Sequence, residues 1–167
     1  MSRFAAALLF VATLLTACGF QPLYGERTGG VAVRQSFNTI SIAPIPDRVG
    51  QLVRNQLIDA LTPLGRPRDP AYVLAVTLTQ SKEGLAFQSD EQATRVSVTL
   101  EARFALREFG DGAIITQGST RSVAAFNIVR SEFANITAEA DAQRRAARQV
   151  ADSIALRLGV HFAGTPG

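Results

Sequence analysis

The side chains best suited to catalysis or metal binding are few in this chain and unfavourably spaced. The 167 residues include one cysteine, Cys18, and one histidine, His161, so intramolecular disulfides and Cys/His zinc sites are excluded by count. The nearest carboxylates are Asp90–Glu91, which are adjacent, and Glu139 and Asp141, which are two apart. Neither spacing brings two carboxylates together as an acid–base dyad requires. We therefore predict no catalytic residue, no metal site and no cofactor, and hence a protein that is not an enzyme.

Cys18 follows a segment that is typical of a secretory signal peptide. Arg3 supplies a positive start, and Phe4–Leu15 is an uncharged apolar stretch that is too short to span a bilayer comfortably. The sequence Leu15-Thr16-Ala17-Cys18 is similar to a bacterial lipobox, in which the cysteine becomes the new N-terminus and its thiol carries a diacylglyceryl group. We predict that residues 1–17 are removed and that Cys18 is the lipidation site.

The residues after Cys18 predict where the lipid anchor holds the protein. Residues 18–35 contain several glycines and a proline without apolar periodicity, and they are predicted to form a lipidated tether. Gly19 stands where an aspartate would resemble an inner-membrane retention signal. We expect the protein to be anchored to the outer membrane, on its periplasmic side, through the N-terminal lipid.

The basic composition does not indicate a nucleic-acid partner. The formal net charge is only +3, and the pI of about 9.7 reflects the use of arginine, which stays protonated far above neutral pH. Lys82 is the single lysine, and no run of basic residues is interleaved with aromatic ones. We predict no nucleic-acid binding.

Apolar periodicity predicts the elements of one folded domain over residues 36–159. Strands are expected over 37–45, 72–79, 95–107 and 113–126, with helices over 47–64 and 131–159. Asp47 is the expected N-cap of the first helix, and Gly65 and Gly159 are the expected helix ends. This order predicts an α+β two-layer sandwich, with a largely antiparallel four-stranded sheet and two helices on one face. Residues 160–167, which include His161, are predicted to be a flexible tail.

The clearest strand, Arg95–Arg107, carries a candidate binding surface. Its residues alternate strictly, so one face of the sheet is expected to be buried and the other wet. Pairing Leu106 with Ile114 across the hairpin would set Arg103 opposite Gln117, Glu101 opposite Ser119 and Thr99 opposite Arg121. The wet face then presents four guanidinium groups, from Arg95, Arg103, Arg107 and Arg121. Such forks suit phosphate groups; the alternative is that these arginines are only solvated.

The start of the predicted mature chain resembles a known family. Cys18–Gly25 (CGFQPLYG) is similar to the start of the mature LptE lipoproteins of lipopolysaccharide assembly, and the resemblance continues through Asp47–Gln51 and Ser131–Ala134. It implies an outer-membrane lipoprotein that lies inside the β-barrel of LptD, helps that barrel to fold and assists delivery of lipopolysaccharide to the cell surface. It also implies lipopolysaccharide contacts through basic residues of the sheet region, for which Lys82 and Arg95 are loose matches.

These expectations leave two functions open. With Lys82 added, the candidate lipopolysaccharide contacts are Lys82, Arg95, Arg103, Arg107 and Arg121, and the expected partners are an LptD-like barrel and lipopolysaccharide. The alternative is a generic envelope lipoprotein that serves as a structural or adaptor subunit of another complex. Dependence of barrel folding on this protein would separate the two.

Overall fold

A four-stranded sheet and a layer of helices make up the structure, a computed structural model that describes residues 28–85 and 95–164. Its elements are, in chain order, α1 (Thr28–Phe37), β1 (Ile40–Ile42), α2 (Asp47–Leu61), β2 (Tyr72–Leu85), β3 (Arg95–Glu108), β4 (Ile114–Asn127) and α3 (Glu132–Gly164). The α+β two-layer class is as predicted. The predicted signal peptide, Cys18 and the Asp90–Glu91 pair lie outside the described residues.

The sheet has the order β1-β2-β3-β4 and is mixed. β1 pairs with β2 in parallel, whereas β2, β3 and β4 form an antiparallel meander. The alternation in β3 correctly predicts the face that the helices cover. On that face Val98, Leu100, Ala102, Phe104 and Leu106 are at most 4% exposed. Thr99 departs from the prediction, because it belongs to the other face and is still only 6% exposed; it lies on a central strand between Ser81 and Val123.

α2 and α3 pack against each other and against the sheet. α2 buries Val53, Leu57 and Leu61, which follow one another at four-residue spacing. α3 buries a pair of residues every four positions, from Ala142–Gln143 to Leu158–Gly159, and most of them are alanine or another small residue. Small side chains along the stripe let α3 lie close to its neighbours.

The connection from β1 to α2 is tight, and it corrects one prediction. Asp47 is not the N-cap of α2: Pro46 takes that position, and no side chain caps the helix. Asp47 itself has a φ of 67°, in the left-handed region that aspartate tolerates better than most residues. A Cβ atom added to Gly50 would lie 2.8 Å from Cγ2 of Ile45, so this close approach requires glycine.

The predicted end of α2 is wrong by one turn. The helix ends at Leu61 rather than Leu64, because Pro63 disfavours a helical conformation at the residue before it. The N–H of Gly65 instead donates to the carbonyl of Thr62 in a turn. Leu64 is consequently 89% exposed, although its spacing predicts a place in the buried stripe.

Aromatic contacts extend the fold beyond both predicted ends. The ring of Phe162 lies 6.2 Å from that of Phe37 and 5.6 Å from that of Tyr72. α3 therefore runs through the expected stop at Gly159 to Gly164, and residues 160–164 are helical rather than a flexible tail. His161 lies in this last turn beside Phe162. Phe37, predicted to open a strand, ends α1 instead, and this helix occupies residues that were assigned to the tether.

Leu57→Ala tests the buried stripe of α2. Leu57 is fully buried, and its truncation should lower the free energy of unfolding by about 2–5 kcal/mol. Leu64→Ala is the matched control, since it makes the same chemical change at an exposed position and should cost less than about 0.5 kcal/mol. Chemical denaturation of both variants measures the difference. Equal losses would contradict the assigned helix face.

Candidate functional site on the outer face of the sheet

The face of the sheet that points away from the helices, here called the outer face, is open and mostly polar. In the described residues, the helices pack on the opposite face only. Small hydroxyl side chains line much of the outer face, among them Thr77, Thr79 and Ser119, and they alternate with charged residues of β3 and β4. The arginines here project from a platform of short side chains.

The observed pairing of β3 with β4 places Glu101 opposite Arg121, whereas the predicted register set Glu101 opposite Ser119. The predicted pairing of Leu106 with Ile114 is wrong. At the hairpin end Arg107 pairs with Ile114, a shift of one residue, and a bulge at Ile115 adds one more, so that Leu106 pairs with Thr116. Beyond the bulge the predicted register is shifted by two residues. A shift of two keeps each residue on its face, so the face assignment holds while every partner changes.

Two cross-strand pairs follow from this register. Glu101 lies opposite Arg121, and Arg103 lies opposite Ser119. The distance between Nε of Arg121 and Oε1 of Glu101 is 3.7 Å, and both side chains are more than half exposed. An exposed pair of this length contributes about 0–1 kcal/mol, so Arg121 is not committed to Glu101.

Arg103 and Arg121 border an open depression of about 580 Å³. Its lining also includes Thr77, Thr79, Glu101 and Ser119. At the sheet edge the depression reaches Arg157 of α3, whose guanidinium lies on the helix side of β4. Three guanidinium groups against one carboxylate make this depression positively charged. Guanidinium forks and neighbouring hydroxyls are the groups that bind phosphate or carboxylate oxygens. The depression can therefore receive an anion.

The other predicted site residues are placed elsewhere. Arg107 donates to the carbonyl of Gly112 at 3.1 Å, and Arg95 lies eight residues from Arg103, roughly 26 Å along the strand. Lys82 is on the helix-covered side, opposite Val98, and its ammonium pairs with Glu139 of α3. The structure thus joins Arg103 with Arg121 and separates Lys82 from all four arginines.

Arg157 was not among the residues that the sequence singled out. Its guanidinium Nη1 lies over Gly118 of β4, 3.3 Å from the position where a Cβ would be. An isolated glycine inside a strand often marks the close approach of another group. Gly118 was therefore the available signal, although the sequence does not say which residue approaches.

Two further features of the described ranges, 28–85 and 95–164, bear on function. No three His, Cys, Asp or Glu residues there are grouped closely enough to hold a metal ion. None of the helices in these ranges has the length and apolar character needed to cross a membrane.

Comparison with solved structures defines the class of the fold. The chain is similar to a structure described as a lipoprotein from Caulobacter crescentus, with 27% identity and a TM-score of 0.68 over 81% of this chain and 98% of the other. It also resembles a minor lipoprotein from Acinetobacter baumannii (20% identity, TM-score 0.60, 74% of this chain and 92% of the other). Rare lipoprotein B from Shewanella oneidensis shares the fold at 16% identity and a TM-score of 0.52, over 73% and 92% of the two chains. The architecture is thus that of a group of bacterial lipoproteins.

Sequence comparison then gives the family. Residues 37–158 match the LptE family, described as lipopolysaccharide-assembly, and the chain belongs to that family. Its role is accordingly in lipopolysaccharide assembly. No match was found among curated proteins.

Proposed function

We propose that the protein is an outer-membrane lipoprotein, anchored by Cys18 on the periplasmic side, that partners an LptD-like β-barrel. In this role it assists assembly of the barrel and delivery of lipopolysaccharide to the outer leaflet. The family match carries the proposal, because it extends over nearly the whole described domain, from Phe37 at the end of α1 to Leu158 in the last turns of α3.

The proposal includes a contact surface for lipopolysaccharide phosphates that is centred on Arg103 and Arg121. Arg103 and Arg121 share the depression on the outer face, where hydroxyl groups of Thr77 and Ser119 can add hydrogen bonds. Arg95 and Arg107 lie on the same face as secondary contacts further along β3. Lys82 is assigned to linking the sheet to α3 through Glu139.

Co-purification tests the partner. The full chain, tagged after its last residue, is purified from detergent-solubilised membranes, and the proteins that accompany it are identified. We expect an outer-membrane β-barrel in a one-to-one ratio, and loss of folded barrel when this protein is depleted. A tagged, unrelated lipoprotein of the same membrane is the control. A stable complex without a barrel, combined with unchanged barrel folding on depletion, would instead support an adaptor role in another envelope complex.

A further inference from the structure

The two edges of the sheet differ in how far they are closed. β1 has only three residues, Pro44 and Pro46 follow it, and Arg54 of α2 lies against it with Nη2 3.5 Å from the carbonyl oxygen of Ile42. Short strands, prolines and covering side chains prevent an edge from pairing with other chains. β4, the opposite edge, has fourteen residues and no proline.

The backbone groups of β4 that face away from the sheet can be assigned. In an antiparallel pair, alternate residues direct both their N–H and C=O toward the neighbouring strand, and the residues between them direct both away. Arg145 of α3 donates to the carbonyl of Ala125 at 3.0 Å, so Ala125 belongs to the set that points away from β3. The same set contains Gln117, Ser119, Arg121 and Val123.

These four residues define an open edge. Ala125 at one end is covered by Arg145, and the bulge at Ile115 interrupts pairing at the other end. Between them, the backbone N–H and C=O groups of Gln117–Val123 that face outward make no hydrogen bond to any residue that the structure describes. The open edge spans roughly 20 Å, six residue steps of an extended strand, which is long enough to pair with a short peptide.

The charges beside the open edge select what can pair with it. On the helix side, the Arg157 guanidinium lies over Gly118, and Arg157 makes no ion pair within the described part of the chain. On the outer side, Arg121 projects from the open edge itself. A second copy of β4 would bring these cations toward their own counterparts, which disfavours self-pairing. A segment with carboxylates would instead meet a guanidinium on each side of the strand.

We propose that the open edge of β4 receives an extended, acidic segment of another protein as a fifth strand, with a carboxylate placed against Arg157. Main-chain hydrogen bonds to Gln117, Ser119, Arg121 and Val123 supply affinity, and the arginines select a segment that carries carboxylates. This inference does not rest on the barrel partner or on lipopolysaccharide binding. It assigns a second mode of recognition, through backbone groups of β4, at an edge that adjoins the depression and shares Arg121 and Arg157 with it.

The test uses the full chain in detergent and a labelled peptide, acetyl-Thr-Glu-Val-Glu-Val-Glu-Thr-amide, with fluorescence anisotropy as readout. The comparison peptide has lysine in place of glutamate and should bind at least about tenfold more weakly. Arg157→Glu should reverse that preference, whereas Arg148→Glu, an exposed arginine elsewhere on α3, should leave it unchanged. Equal binding of the two peptides by the unmodified protein would overturn the proposal.

Proline substitution tests the backbone bonds directly. Ser119→Pro removes an N–H that points away from β3, and edge strands tolerate such a proline; we expect the fold to persist and peptide binding to be lost. Thr120→Pro removes an N–H directed at β3 and should lower the melting temperature strongly.

If Ser119→Pro also unfolds the protein, a peptide N-methylated at alternate amides removes the same hydrogen bonds and should not bind. Binding of that peptide, or by folded Ser119→Pro, at the original affinity would overturn the proposal. So would a dimer of the unmodified protein that Ser119→Pro abolishes.

Discussion

Cys18→Ser is expected to abolish incorporation of radiolabelled palmitate and to leave the precursor at its full length. Cys18 is the single thiol of the chain, and serine cannot form the thioether on which processing of a bacterial lipoprotein depends. The effect should be all-or-none rather than graded. Labelling in cells followed by electrophoresis measures both the lipid and the length of the chain.

A matched change two residues before the cysteine controls for general disruption of the signal segment. Thr16→Ser retains a small residue ahead of Cys18 and should leave labelling and cleavage intact. Stable membrane attachment requires more than one acyl chain. The Cys18→Ser precursor carries none, so it should not appear in the outer-membrane fraction with the unmodified protein. Continued palmitate labelling of Cys18→Ser would show that another residue carries the lipid.

The double variant Arg103→Gln/Arg121→Gln is expected to weaken lipopolysaccharide binding at least tenfold. Each charge-assisted contact between a guanidinium and a phosphate contributes about 1.5–3 kcal/mol, and both side chains border the same depression. The melting temperature should stay nearly constant, since the pair of Arg121 with Glu101 is exposed and long. Binding of purified lipopolysaccharide, followed by calorimetry alongside thermal unfolding, measures the two effects.

Salt and a control variant sharpen that result. Binding by the unmodified protein should weaken as salt rises, because exposed charges are screened beyond about 8–10 Å at physiological ionic strength. Arg148→Gln removes one positive charge from the helix layer instead of two from the outer face and should bind like the unmodified protein. Unchanged binding by the double variant would mean that the arginines of the outer face are only solvated, without affecting the proposed barrel partner.

The parts of the fold that follow from local periodicity were predictable. β3 shows this most clearly, since each apolar residue from Val98 to Leu106 at alternate positions is buried on the face that the helices cover. The length of α2 was overestimated because the pattern continues through Leu64, while Pro63 acts on the backbone independently of the pattern. Contacts between residues far apart in the sequence could not be predicted. The pairing of Phe37 with Phe162 joins the two ends of the domain, and no window of neighbouring residues contains both.

Part of the candidate site was likewise predictable from local alternation, and part depended on features that alternation does not show. Alternation placed Arg103 and Arg121 on one face. Their separation also depends on where the hairpin turns and on the bulge at Ile115, and a single extra residue leaves no clear sign in a strand-forming sequence. Lys82 was grouped with the arginines through the family resemblance rather than through its position in a strand. β2 continues to Leu85. The alternation of its side chains places Lys82 on the same side as Leu78, the side that the helices cover.

α1 sets a limit on how far the protein can reach from the bilayer. Thr28 is the first residue of that helix, and Val33 is buried in the core. Ten residue steps separate Thr28 from the proposed anchor at Cys18, and ten steps of chain span at most about 36 Å in any conformation. With the proposed anchor, the segment between Cys18 and Thr28 is a short tether, and Thr28 stays within that distance of the membrane surface whichever partner the domain engages. Each residue inserted ahead of Thr28 would lengthen this tether by about 3.3–3.6 Å at most. The length of the segment therefore sets the largest distance between Thr28 and the membrane surface.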